Sequence, residues 1–102
     1  MKVITEGHKY ELDSFEGGLP QTIQFIEKVP VTEGSAELKT VNDGTTNEEL
    51  LKVLIDRTKY LGGKFASRQN SIAITKLQEA LMWFENRTQE RKERGVEGKA
   101  TL

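Results

Sequence analysis

The sequence predicts an α+β protein: an N-terminal antiparallel β meander over residues 1–44, followed by an antiparallel helical hairpin over residues 45–102 with a long second helix. Three observations predict it. Short β-rich runs in the first half are punctuated by Gly and Pro. A helix-start signal stands at Thr46–Glu49. From Ser67 to Gly95 the apolar residues follow a helical period without a glycine or proline to break it.

Taken in order, "MKVITEG", "HKYELDSF" and "QTIQFIEKV" are strand candidates separated by Gly7, Gly17-Gly18 and Pro20. Tyr10 and Leu12 alternate, as do Ile23 and Phe25, which suits a sheet with one covered face. "AELKTV" predicts a further strand, ended by the turn formers Asn42-Asp43-Gly44, so the meander has three or four strands. Thr46 and Glu49 have the spacing of a capping box, in which each side chain accepts from the other residue's backbone N–H. Leu50, Leu51, Leu54, Thr58 and Leu61 then mark the first arm, which Gly62-Gly63 is expected to stop. Ser67 suits the cap of the second arm, whose stripe is Ile74, Leu77, Leu81 and Phe84 and whose end lies near Gly95.

The arms are unequal. At 1.5 Å per residue the first spans ~22 Å and the second ~40 Å, so about a dozen residues of the second have no partner in the first. Trp83 and the arginines are expected on that overhang. An exposed Trp83 and Phe84 there call for cover, from the β segment or from another chain.

Composition narrows the function classes. A chain of 102 residues is one domain by length, and a domain of this size leaves much of its surface uncovered, which leaves room for association with another chain. No segment reaches the ~20 apolar residues of a membrane span, and the N-terminus has no signal-peptide pattern. The absence of cysteine removes disulfides, thiol catalysis and iron–sulfur ligation, and suits a reducing compartment. Residues 1–49 carry four Lys against ten Asp/Glu, a balance of −6; residues 50–102 carry eleven Lys/Arg against six acids, a balance of +5. The basic half suggests an anionic partner or complementary packing of the halves. It is too interrupted for general nucleic-acid binding.

Few residues suggest catalysis. His8 is the only histidine and has no nucleophile at a recognisable spacing. Glu11, Asp13 and Glu16 read as an acidic turn, not a metal cage, and Gly62-Gly63-Lys64 lacks the rest of a phosphate loop. No cofactor, metal or catalytic residue is expected.

The arginines are the better signal. Three of the five arginines, Arg87, Arg91 and Arg94, recur at spacings of four and three. Arg87 and Arg91 sit one turn apart with stems ~6 Å from each other, suited to two phosphates of one ligand gripped by planar guanidinium forks. The bland alternative is a solvated helix end, with Glu90 pairing Arg94. Tyr60, flanking the hairpin turn, offers a ring for base stacking or half-covered core. Asn70 offers a base-edge or ribose contact or first-turn capping. Arg68 is cationic and near the turn.

The run "NSIAITKLQEALMWFENRTQERKERGVEG" resembles the helical hairpin domain shared by two groups of phage anti-defence sponges, one directed at Thoeris and one at the cyclic-oligonucleotide system CBASS. "AITKLQEALMW" and "RGVEG" carry most of the match, "LLKVLIDRTKYL" is similar to the family's first arm, and the β-rich opening is similar to the Thoeris branch. The resemblance spans essentially the whole chain. It implies a protein of the infected host's cytoplasm that binds a cyclic ADP-ribose-type (glycocyclic ADP-ribose) signal without turnover, at sites where protomers meet. Some members also bind cyclic di- or trinucleotides. Carried over by motif, the resemblance implies ligand contacts at Tyr60, where members can have phenylalanine, and at Asn70, Arg87 and Arg91. Arg68 and Arg94 are secondary candidates, Arg68 for the cyclic-oligonucleotide site. Two alternatives stay open: a hydrolase that destroys the signal, and a protein-binding module acting on a defence effector.

Asn70 and Arg87 lie 17 residues apart, ~26 Å along one helix, too far for one small ligand to touch both in the same chain. A shared pocket therefore requires the turn of one protomer beside the overhang of another, in a homodimer or a higher homo-oligomer.

Overall fold

A computed structural model describes residues 1–101 and divides the chain into two compact units, 1–46 with 98–101, and 47–97. Strands precede helices and the second helix is the longer, the α+β order read from the sequence.

In the β unit, β1 (Lys2–Thr5), β2 (Lys9–Leu12) and β3 (Gln21–Gln24) form an antiparallel sheet in that order. Gly7, at φ 76°, supplies the left-handed residue between β1 and β2. Tyr10 stands opposite Ile23 in the β2–β3 register, and its ring meets that of Phe25 edge to face, with centroids 5.9 Å apart. The third strand is shorter than expected. "QTIQFIEKV" breaks at Phe25-Ile26, and β4 (Glu27–Pro30) pairs instead with β5 (Leu38–Asn42) as a separate two-stranded sheet.

The break has a physical cause. Thr45 donates its N–H to the Gln24 carbonyl and Ile26 donates to the Thr45 carbonyl, each at 2.9 Å, so the returning chain takes the backbone groups at the joint. Gly44 permits this approach. A Cβ there would overlap the Gln24 carbonyl oxygen and lie 2.7 Å from the Phe25 carbonyl carbon. The unit is completed by residues 98–101: Lys99 bridges Glu37, and Ala100 donates to the Ala36 carbonyl at 2.8 Å.

The hairpin unit consists of α1 (Asn47–Lys64) and α2 (Arg68–Glu93), packed on each other. Thr46 and Glu49 hold the positions of a helix cap and third residue, as the capping-box spacing requires. Gly62 and Gly63 do not stop α1, which continues to Lys64. Two glycines cost about 1 kcal/mol each in a helix interior, too little to end one already propagated over several turns and packed on a neighbour. The Ser67 Oγ accepts from the Asn70 N–H at 3.0 Å and caps α2.

Covered positions on α2 include Asn70, Ile74, Leu77, Leu81, Phe84, Thr88 and Arg91, an alternation of four and three flanked by Ala80; α1 matches it with Leu51, Ile55, Thr58 and Gly62, flanked by Glu48 and Leu50. Such a stripe is the seam of a coiled coil. Ile55, at 8% exposure, is the most buried apolar residue, and the sequence stripe passed over it. Two helices alone cannot enclose a core. Val53, Leu54, Tyr60, Phe65, Ile72, Met82 and Trp83 remain exposed in the hairpin.

The overhang is shorter than the sequence implied. With 26 residues against 18, α2 outruns α1 by eight. Phe84 shares a small concavity with Asn47, Leu50, Leu51 and Leu54. Trp83 therefore stands level with the start of α1, and the overhang proper carries the arginines.

Candidate functional site

Arg87, Glu90, Arg91 and Arg94 line one cleft of about 200 Å³ at the free end of α2. Helical spacing of four and three places the three arginines around this one cleft. Their environments differ. Arg87 is exposed and makes no ion pair or hydrogen bond among the described residues. Arg94 pairs with Glu90 at 3.4 Å, one turn back, with both side chains half in solvent.

Arg91 is buried, at 7% exposure, because it continues the covered stripe beyond Thr88. Its Nη2 donates to the Val96 carbonyl at 2.9 Å, and its Nε lies 3.5 Å from the Glu97 carboxylate. The local fold that permits this is the helix end. Gly95 takes φ 71°, Val96 donates to the Arg91 carbonyl and Gly95 donates to the Lys92 carbonyl, each at 3.0 Å. This glycine-terminated pair of hydrogen bonds turns the chain back over the last turn of α2. It delivers Val96 and Glu97 to the Arg91 guanidinium. The sequence reading found Gly95 and missed this pairing, although Arg91 at the end of the four-three stripe was the available signal.

At the other end of the hairpin, Tyr60 is 63% exposed and lines an open depression of about 540 Å³ with Lys52, Val53, Asp56 and Arg57. The Lys64 ammonium stands 5.4 Å from the centre of its ring, a cation–π distance. Asn70 is half-buried, with its backbone N–H on the Ser67 cap. Arg68 lines a different depression with Ser71, Ile72, Thr75 and Lys76. Because α2 is continuous from Arg68 to Glu93, one chain does not bring Tyr60 and Asn70 to the arginine cleft.

Chemically, the cleft is lined by three arginines and Glu90, with Glu97 paired to Arg91 beside it. Planar forks held in a concave, partly dry site suit phosphate or carboxylate. The family model described as Acb2/Tad1, hairpin domain, matches residues 23–89 of the chain.

The chain belongs to the Acb2/Tad1 hairpin-domain family. Tyr60, Arg68, Asn70 and Arg87 lie within the matched Acb2/Tad1 span, whereas Arg91 and Arg94 lie beyond its end. A curated relative named Thoeris anti-defense 1, from Bacillus phage SBSphiJ7, is 44% identical over 91 residues. The alignment covers 88% of this chain and 58% of the relative's length. Among the described residues, no helix of this Acb2/Tad1 chain is long and apolar enough to cross a membrane.

Proposed function

We propose that this chain is a phage anti-defence protein of the Thoeris type, acting in the infected host by binding a cyclic ADP-ribose-type signal and withholding it, unaltered, from the immune effector. Family membership and the name of the 44% identical relative support the anti-defence role. The observation that carries the binding reading is the single cleft lined by Arg87, Arg91 and Arg94, whose guanidinium forks suit phosphate oxygens.

In this reading residues 45–102 form the ligand-binding and oligomerisation region, and residues 1–44 a separate β segment. Tyr60 stacks on the adenine, Asn70 fixes a polar edge, and Arg87 and Arg91 hold the pyrophosphate, with Arg94 at the rim of the same cleft. The continuity of α2 requires two copies: the hairpin turn of one beside the arginine cleft of the other. The exposed Ile72, Met82 and Trp83 supply apolar surface for that contact. Arg68 is the residue proposed for a second, cyclic di- or trinucleotide site.

Mixing two inactive variants tests the shared pocket. Tyr60→Ala and Arg87→Ala proteins, unable to bind alone, are unfolded together and refolded. Two-fold pairing regenerates one intact pocket in each mixed dimer, so roughly a quarter of the sites recover. No recovery, in a mixture shown to exchange subunits, contradicts a pocket built from two chains.

A further inference from the structure

We propose that Glu97 is the internal counter-ion of the arginine cleft, occupying Arg91 in the empty protein and giving way to the ligand's phosphate. The proposal deepens the binding reading above and rests on the assignment of this cleft as the phosphate clamp. Arg91 is among the least exposed residues of the chain, and its Nε lies 3.5 Å from the Glu97 carboxylate. A carboxylate facing a guanidinium presents the same charged oxygens that a phosphate would.

The two partners are unequally held. Arg91 is fixed by the stripe on α2 and by its bond to the Val96 carbonyl, with its side chain 8% exposed. Glu97 is 41% exposed and sits just past the helix end, directly before Gly98. When an anion enters, the exposed partner at the end of a loop is the one that moves. Glu90, the acid that lines the cleft, is engaged with Arg94 and is 60% exposed, so it holds the rim.

Two functions follow from this arrangement. Glu97 contributes a compensating charge beside a buried cation while no ligand is bound. It also sets a threshold on the ligand: an incoming group must carry enough charge to displace a carboxylate. A pyrophosphate meets that threshold better than a single monoanionic group. Glu97 is thus a positioning and selectivity residue that the ligand displaces rather than touches.

The test compares the full chain with its Glu97→Gln and Glu97→Asp variants, using inorganic pyrophosphate and glycocyclic ADP-ribose as separate calorimetric probes. Glu97→Gln keeps the hydrogen-bonding shape and removes the charge, so pyrophosphate should bind roughly three- to tenfold more tightly, the effect of one fewer like charge near a partly screened site. Glu97→Asp should stay near the parent. A merely structural helix-end role predicts the opposite, weaker or unchanged binding with Gln, and that result overturns the proposal. Absence of pyrophosphate binding to both parent and Gln variant also overturns it. Should the Gln variant fail to fold, the Glu97 carboxyl carbon resonance of the parent gives the answer: it shifts on pyrophosphate addition if the pair exchanges, and a static resonance under saturation refutes exchange. The two readings separate cleanly. Tighter pyrophosphate binding without glycocyclic ADP-ribose binding keeps the counter-ion and removes the signal. Glycocyclic ADP-ribose binding with no gain in the Gln variant does the reverse.

Discussion

Arg91 and Val96 hold each other twice: the Arg91 Nη2 donates to the Val96 carbonyl at 2.9 Å, and the Val96 N–H donates to the Arg91 carbonyl at 3.0 Å. Arg91 therefore belongs both to the last turn of α2 and to the cleft. Arg91→Ala should lose ligand and also stability, by about 1–3 kcal/mol for a buried, charge-assisted hydrogen bond. Arg87→Ala, at an exposed site, should lose ligand with stability changed by no more than about 0.5 kcal/mol. Urea unfolding at a fixed protein concentration distinguishes them. Equal stability of the two variants would contradict the dual role.

Glycines at two places should respond with opposite signs. A Cβ on Gly44 would strike the backbone at Gln24-Phe25, so Gly44→Ala should cost about 2 kcal/mol or more, the range of an overpacked contact that backbone cannot relieve. Gly62 and Gly63 are helical with open space where a Cβ would stand, so Gly62→Ala and Gly63→Ala should each add about 0.4–1 kcal/mol. The same substitutions in the ligand-bound oligomer report whether a second chain fills that space.

The Ser67 cap is a single side-chain contact and gives a simple check on the turn. Ser67→Ala should destabilise by about 1 kcal/mol, while Ser67→Asp should restore most of it. Thermal melting with the cap replaced decides it. An unchanged midpoint for alanine would mean that the turn is held by something other than the Asn70 N–H.

Trp83 is 67% exposed and Met82 55%, on the side of α2 away from the seam. Trp83→Asp should weaken self-association by about thirtyfold or more, the effect of removing a central aromatic anchor. Sedimentation equilibrium measures this directly. A parent protein that is monomeric at micromolar concentration would contradict the two-chain pocket.

Much of this was legible in the sequence because it rests on local rules. The four-three apolar spacing gave α2 and its Ser67 and Gly95 ends, and the turn formers gave β1, β2 and β5. What the residues alone did not show were outcomes of competition between local and longer contacts. Gly62-Gly63 are helix breakers by propensity, yet packing carried α1 through them. "QTIQFIEKV" is a continuous β pattern, yet Thr45 takes the backbone partners at its middle. In the cleft, the spacing of the arginines was plain. The burial of Arg91 continues the four-three stripe, but its pairing with Glu97 depends on a left-handed Gly95 folding the chain back, which no periodicity reveals.

The central claim is that the chain takes up a cyclic ADP-ribose-type signal and returns it intact. Calorimetric titration with glycocyclic ADP-ribose isomers, followed by heat denaturation of the complex and mass analysis of the released nucleotide, tests it most directly. The account predicts nanomolar affinity, about −12 kcal/mol, and recovery of unaltered ligand. Recovery of a hydrolysed product would make the protein an enzyme, and absence of binding to every isomer would contradict the account.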